Sequence, residues 1–356
     1  MKKILFVLLI TACFVVLLQQ WKPLAEKIQE KEGPAEKPFE EISQLLDRDY
    51  KIITVSFPKK SDPSKQIQKA LNLAKNSKIP IKVIIPEGSY TLKKALHIYS
   101  NTWLYTSPNT VFRKANTHKE IMLLNGDFKV SYKGYDGNSN IIVDGGIWDA
   151  AGKDKVWTPS VFGFAHGRNI LIQNTVIKNI VGGHAIDSAG NKDVIIKNNK
   201  FLGFYGSGNE PYIEAIQIDG MISEKAFRRF GTVDFTVTKN IRIEDNYFGN
   251  SHVKGMKPWG VGVGSHSTAL ANPYSNIQIL NNTFEGMTYA AVRGHNWENT
   301  LVKGNRFIDC ALGVRIDKFG SYYTVDGKHH ITNGKFITSQ FKVESNVFIE
   351  TDKKPK

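Results

Sequence analysis

A short phrase recurs along this chain: β-branched or aliphatic residues at alternate positions, a spacer, then Asn, one arbitrary residue and a large apolar one. The copies are Ile195-Ile196-Lys197-Asn198-Asn199-Lys200-Phe201, Ile241-Arg242-Ile243-Glu244-Asp245-Asn246-Tyr247-Phe248, Ile277-Gln278-Ile279-Leu280-Asn281-Asn282-Thr283-Phe284, Leu301-Val302-Lys303-Gly304-Asn305-Arg306-Phe307 and Phe341-Lys342-Val343-Glu344-Ser345-Asn346-Val347-Phe348, with a weaker copy ending at Asn174-Thr175-Val176. The tightest Asn-to-Asn spacings, about 23 (282 to 305) and about 25 (174 to 199), suit one solenoid coil per repeat, and the wider ones require insertions. Alternation with period two inside each copy says strand. An Asn after every strand says a tight or left-handed bend. Stacked coils then place the Asn amides in a hydrogen-bonded ladder and the Phe rings in a continuous inner column. The predicted fold is all-β, a right-handed parallel β-helix, the hand following from the general preference of crossovers. A β-sandwich with Asn-rich turns is the competing fold, but it has no reason to keep Asn-x-Phe in phase.

The 356 residues exceed one compact core, a limit that a stacked solenoid escapes. The segmentation read from the sequence is a signal or anchor segment over 1–21, a charged spacer over 22–48, the β-helix over 49–350 and a basic tail over 351–356. Met1-Lys2-Lys3 followed by an apolar run from Ile4 to Leu18 is the export pattern, short for a full membrane span. A retained anchor, a cleaved signal and a lipoprotein signal at Ile10-Thr11-Ala12-Cys13 stay open, and each places the domain outside the cytoplasm, membrane-anchored or secreted. Pro34 and Pro38 interrupt the spacer. Asp62-Pro63 reads as an N-cap and first-turn proline for a helix that buries Ile67, Ala70, Leu71 and Ala74 and caps the solenoid. The two cysteines, Cys13 and Cys310, give the folded region no disulfide.

Outward side chains of neighbouring coils line up in columns, because stacked strands lie about 4.8 Å apart. Five phrases align on their inner aliphatics Ile186, Ile216, Val261, Val292 and Val314. One outward column becomes Asp187, Gln217, Gly262, Arg293, Arg315, and the next becomes Asp219, Gly264, His295, Asp317. Polar columns flanked by core aliphatics are what a sugar-binding groove requires. Asp187 and Asp219, one coil and two residues apart, place their Cβ atoms roughly 8 Å from each other. That matches the roughly 6.5–9.5 Å between the carboxyls of an inverting glycosidase. Glu214 is a further acid, and His184 and His266 are candidates for acid–base work near neutral pH. The competing reading makes Asp187 and Asp219 solvated strand residues or partners of Arg293 and Arg315. Trp259 is the expected sugar-stacking platform, with Trp297, Tyr205 and Tyr212 as lesser candidates. Arg293, His295, Arg315, Asp317, Lys318 and Gln217 are the expected substrate contacts, Arg suiting bidentate recognition of carboxylate or sulfate.

The capping helix, Val83-Ile84-Ile85-Pro86-Glu87-Gly88-Ser89-Tyr90, Ser100-Asn101-Thr102-Trp103-Leu104 and the Asn-x-Phe coils resemble the pectate-lyase and polygalacturonase superfamily over roughly residues 50 to 350. The resemblance implies a polysaccharide substrate and a glycoside hydrolase activity, with a polysaccharide lyase or epimerase, or a noncatalytic polysaccharide-binding module, as alternatives. Gly260-Val261-Gly262-Val263-Gly264-Ser265 is similar to the segment after the polygalacturonase histidine, and Gly313-Val314-Arg315-Ile316 to the Arg-Ile-Lys motif. By that alignment Glu214 falls on the second carboxylate of the family's Asp-Asp pair. His184, Trp259, Ile213 and Asp317 replace the first catalytic Asp, the histidine, the other Asp of the pair and the lysine, so the family's mechanism does not transfer whole.

The net charge of +14 favours an acidic polysaccharide as partner. Scattered lysines and export argue against nucleic acid. No metal motif or cofactor fingerprint occurs, and a monomer with no cofactor is expected. The insertions Met221–Lys239 and Ser251–Pro258 are candidate covers for the groove.

Overall fold

The computed structural model describes residues 38–154, 157–206, 213–223, 231–324 and 330–351. The signal segment, most of the spacer, Tyr212 and the basic tail after Thr351 lie outside the described residues. Among the described residues no helix is long and apolar enough to cross a membrane.

Three parallel sheets carry the fold, with ten, eight and nine strands. Successive coils contribute one strand to each, so every strand pairs with those one coil before and after it. In the central coils the first sheet holds Arg168–Gln173, Lys192–Lys197, Lys239–Glu244 and Tyr274–Leu280; the second holds Val176–Val181 and Lys200–Tyr205; the third holds His184–Ala189, Glu214–Asp219, Val261–Gly264 and Ala290–His295. This is the all-β architecture expected of right-handed parallel crossovers. One antiparallel hairpin, Phe319–Thr324 with His330–Lys335, leaves the solenoid after the third sheet's last strand.

The Asn ladder forms between the first and second sheets. Asn199, Asn246 and Asn282 each donate a side-chain amide N–H to the Oδ1 of the next rung at 3.0 Å, and Asn305 to that of Asn346 at 2.9 Å. The same oxygens accept the backbone N–H of the preceding rung, and each amide also reaches a backbone carbonyl of the first sheet one coil away. The rung residue is not the left-handed one. Positive φ falls one position earlier, at Asn198, Asp245, Asn281, Gly304 and Ser345, because that residue turns the chain so the rung's amide points inward. In the weak copy Asn174 makes the left-handed turn and Thr175 is the rung, donating both its N–H and its hydroxyl to Asn199 at 2.9 Å. A second ladder, not anticipated, opens the first sheet: Asn140, Asn169, Asn240 and Asn276 all have positive φ and bond rung to rung, Asn240 to Asp193.

Inside, Phe201, Phe248, Phe284 and Phe307 form the expected ring column, which ends on the exposed Phe348, with successive centroids 4.5–5.6 Å apart. The helix Pro63–Leu71 starts as predicted, the Asp62 side chain accepting from Ser64 N–H at 2.9 Å. Its Ile67, Ala70 and Leu71, with Ala74, close the core of the first coils. The spacer ends earlier than the sequence indicated. Phe39, Ile42 and Leu45 are buried on the outer face of the first sheet against Ile142, Leu171 and Ile195, because those outward aliphatics need cover.

Replacing Asn282 by Ala removes the acceptor of the Asn246 N–H and of one Asn246 amide hydrogen, and the donor to the Ile243 carbonyl. Each buried orphan costs about 1–3 kcal/mol. Asn282→Ala should lose at least about 3 kcal/mol in urea unfolding of the domain. A loss below about 1 kcal/mol would show that the ladder is not the register-holding element.

Candidate functional site: a carboxylate cleft on the third sheet

The third sheet does not alternate strictly. Ala185, Ala215 and Ala291 lie in the core together with the residues that follow them, Ile186, Ile216 and Val292. The strand pairings skip this position in three ladders of this sheet: Ser160↔His184 is followed by Phe162↔Ile186, Glu214↔Val261 by Ile216↔Val263, and Val261↔Ala290 by Val263↔Val292. Two consecutive inward residues shift the phase, so His184 and Glu214 join Asp187 and Gln217 on the outer face. A small residue is needed at the skipped position. In the third of these coils it is Gly262, whose Cβ would stand 2.5 Å from the Phe284 ring.

The register also moves one expected column. Val263, not Val261, pairs with Ile216 and Val292, and Gly264 pairs with Gln217 and Arg293. The outward column is therefore Asp187, Gln217, Gly264, Arg293, Arg315. Asp219 extends past the end of Val261–Gly264, so turn residues His266 and Ser267 come to meet it.

A cleft of about 630 Å³ opens over this face. His184, Asp187, Gln217, Asp219 and His266 line it, while Glu214 lies beneath, fully buried. Gly264 makes that path possible, since a Cβ there would come 3.0 Å from the Glu214 side chain. Glu214 Oε2 accepts from His266 Nδ1 at 3.0 Å, and His184 Nδ1 donates to the Glu214 backbone carbonyl at 2.8 Å. The imidazoles of His184 and His266 stack with centroids 5.9 Å apart. Asp219 Oδ1 accepts from Gly220 N–H, Ser267 Oγ and Tyr274 OH at 2.8, 3.1 and 3.3 Å, and its Oδ2 from Gln217 Nε2 at 3.1 Å. Asp187 Oδ1 and Glu214 Oε1 have no protein partner among the described residues.

Electrostatics divides these groups. Burial, reinforced by Asp219 and Glu214, pushes the Asp187 carboxyl well above its ordinary range. Burial also raises Asp219, against the pull of His266 and its donors. With four donors, Asp219 is the member of the pair that ionises first, and Asp187 keeps the proton. Burial would raise Glu214, but His266 and His184 outweigh it and hold Glu214 below its usual value. Burial would lower His266, yet Glu214 raises it. Burial lowers His184 to about 4, so it is a neutral imidazole whose Nδ1–H is already committed. The site thus holds, within one wall, a carboxyl that keeps its proton, a second that releases its proton more readily, and an imidazole–carboxylate pair.

Other expected contacts go elsewhere. Trp259 is not a stacking platform: it is completely buried, stacked on Phe204 at 4.9 Å, because the core at the end of the second sheet needs its bulk. Trp297 is equally buried and donates Nε1–H to Ser265. Tyr205 is half-buried at the end of the second sheet and does not line the cleft. Arg293, Arg315 and His295 converge on Asp317 at 2.9, 2.8 and 3.1 Å and hold its carboxyl well below the ordinary carboxylate range despite its burial. This cluster belongs to the lower coils, outside the cleft lining, and Lys318 is exposed beyond it. The segment Ser251–Pro258 bridges to Phe204 through Lys257 and is not a cover for the cleft. Of the insertion Met221–Lys239, Ser223 lines the cleft and residues 224–230 lie outside the described residues. The rim is built instead by Phe128, Trp157 and the hairpin residues Ser321, Tyr323 and Ile331. Trp157 is 55% exposed. None of these belongs to a repeated phrase; the only sequence mark was an aromatic inside an insertion between strands. Among the described residues no group of three or more His, Cys, Asp or Glu side chains is arranged to hold a metal ion.

A carboxyl raised by folding binds a proton in the native state that the unfolded chain releases, so stability falls as pH rises from the ordinary Asp value of about 3.9 through the raised one. Asp187→Asn should abolish this component, leaving the variant relatively more stable than the parent at neutral pH than at pH about 4. Parallel stability–pH curves for the two proteins in urea titrations would show that Asp187 is not held protonated.

No protein-family model matches the chain. It is 28% identical over 323 residues to plasmin and fibronectin-binding protein A of Streptococcus pneumoniae, a match covering 83% of this chain and 44% of that relative. The chain therefore spans less than half the length of the curated relative. The crystal structure of PfbA, a surface adhesin of Streptococcus pneumoniae, superposes with a TM-score of 0.67 at 24% identity, over 84% of this chain and 72% of that one. A galactohydrolase of a sulfated galactose–anhydrogalactose polymer superposes with a TM-score of 0.55 at 15% identity, over 87% and 74% of the two chains. The chain has a parallel β-helix fold.

Proposed function

We propose that this protein works outside the cytoplasm as a surface binding protein, with the cleft over Asp187, Gln217, Asp219 and His266 as a carbohydrate site. The basic start and apolar run of the N-terminus support export, and the similarity to a surface adhesin supports a binding role. One observation carries the preference for binding over cleavage. Glu214, the residue that falls on the polygalacturonase carboxylate pair, lies under the cleft wall and is tied to His266, out of reach of a glycosidic oxygen. The cleft otherwise has what a sugar needs: polar side chains on one wall, with Asp187 Oδ1 lacking a partner among the described residues, and aromatic surfaces at Trp157, Phe128 and Tyr323 on the rim.

Hydrolysis is the second reading, and a specific feature favours it. Asp187 retains its proton beside an ionised Asp219, which is the division of labour between general acid and general base. In such a reaction Asp187 protonates the leaving oxygen while Asp219 takes a proton from water as that water attacks the anomeric carbon.

The deciding experiment incubates the exported domain with a panel of neutral and acidic polysaccharides, and with fibronectin and plasmin, the partners in the relative's name. Retention, new reducing ends and ultraviolet absorbance of unsaturated uronates are measured beside Asp219→Asn. Glycan retention without new ends, weakened about tenfold or more in Asp219→Asn, is the expected result. New reducing ends lost in the variant would move the assignment to hydrolase, and absorbance to lyase. Protein binding untouched by the substitution, with no glycan retained, would end the carbohydrate reading.

A further inference from the structure

A second cavity, of about 570 Å³, lies beside the cleft and shares Glu120 and Phe128 with it. The capping helix and the chain before Leu96–His97 build it, and four lysines line it: Lys65 and Lys69 from the helix, Lys93 and Lys94 opposite. All four are exposed, and none has a carboxylate partner among the described residues, in contrast to Lys75, which pairs with Asp127 at 2.8 Å. In the sequence these lysines belong to two separate short runs, and folding the helix onto the first coils gathers them. Unpaired like charges on one concave surface repel one another and raise the local potential, which an anion relieves.

The cavity offers more than charge. His118 lines it, is 3% exposed, and has its Nε2 without a partner. Its Nδ1 lies 3.3 Å from the Leu92 carbonyl, and burial lowers the ring to about 4, so the imidazole is neutral with Nδ1–H donating and Nε2 left as an acceptor. An acceptor of this kind receives a hydrogen bond from a hydroxyl. Phe128, half-buried and edge-packed on His97 with centroids 5.2 Å apart, stands where the two cavities meet and presents an apolar surface to both. Cations, a hydroxyl acceptor and an aromatic surface together fit a sugar chain that carries acidic groups better than a free inorganic anion, which uses only the first.

We propose that the lysine cavity is an anion-recognising subsite, and that one acidic polysaccharide, bearing sulfate or carboxylate groups, runs from it across Phe128 into the carboxylate cleft. The inference rests on the cleft being a carbohydrate site. It explains a division along the face: the cleft wall of Asp187, Gln217 and Asp219 receives hydroxyls, and the lysines receive the charged substituents.

The test uses the full chain, with dextran sulfate and polygalacturonate as anionic probes and unmodified dextran as the neutral one, in binding titrations at about 50 and 200 mM salt. The variant Lys65→Gln/Lys69→Gln/Lys93→Gln/Lys94→Gln keeps the aliphatic stems at exposed positions. A matched control removes four exposed lysines elsewhere, Lys51, Lys200, Lys254 and Lys342. The cavity variant should bind at least one anionic probe at least about tenfold more weakly at low salt, with a smaller salt dependence, while the control changes less than about twofold. Equal weakening in cavity and control variants would overturn the proposal, because net charge alone would then explain binding. So would absence of binding of either anionic probe to the parent protein. Phe128→Ala and Asp219→Asn separate the two layers of the argument. Weakening in the lysine variant but in neither of these leaves an isolated anion site and removes the cleft reading; weakening in these two but not in the lysine variant keeps the cleft and removes the subsite.

Discussion

A buried amide holds each coil of this molecule to the next, and the register of everything outside follows from it. Asn199, Asn246, Asn282 and Asn305 sit where strands of the first sheet turn into strands of the second, and each spends its full hydrogen-bonding capacity on neighbouring coils. An amide in that position with any bond missing is costly, so a slip of one residue breaks several bonds at once. The ring column beside the ladder adds apolar area without directional demand. The ladder fixes which residue of one coil faces which residue of the next, and the rings fill the space it defines.

The candidate site depends on that register being rigid and on one local departure from it. In the third sheet, two adjacent inward residues per coil shift the strand phase, and the small side chains Ala185, Ala215, Gly262 and Ala291 make room for it. The departure brings Glu214 and His184 to the outer face beside Asp187, Gln217 and Asp219. Packed in this way, the carboxyls differ in proton affinity: burial and its acidic neighbours raise Asp187, while His266 and His184 hold Glu214 down. A pre-set protonation pattern serves a binding wall as well as an acid–base pair, since each group presents a defined donor or acceptor.

The lower half of the same face was turned to a structural use. Asp317 collects Arg293, Arg315 and His295 into one network, and four exposed lysines gather at the other end, around the capping helix. The relatives fit this picture. A surface adhesin and a galactohydrolase share the scaffold with this chain, and a shared scaffold does not fix a shared function.

The repeat by itself determined the strands, the ladder residues, the inner rings and the face that carries the cleft, because a one-dimensional stack maps sequence period directly onto contact. It also put His184, Asp187, Gln217, Asp219 and His266 on one side of the molecule, where the cleft is. It missed what does not repeat. The Val261–Gly264 register, the buried fate of Trp259 and the outward swing of Glu214 depend on how much volume each coil must fill, a quantity set by residues from three coils at once. Trp157, Phe128 and the hairpin residues enter the cleft through insertions whose paths only the packed structure fixes. Lysines from two separate stretches became one cavity because the capping helix lies against the first coils. Hydrogen bonding between like neighbours is encoded locally, whereas the shape and charge of a cavity arise from segments that meet only when the chain is folded.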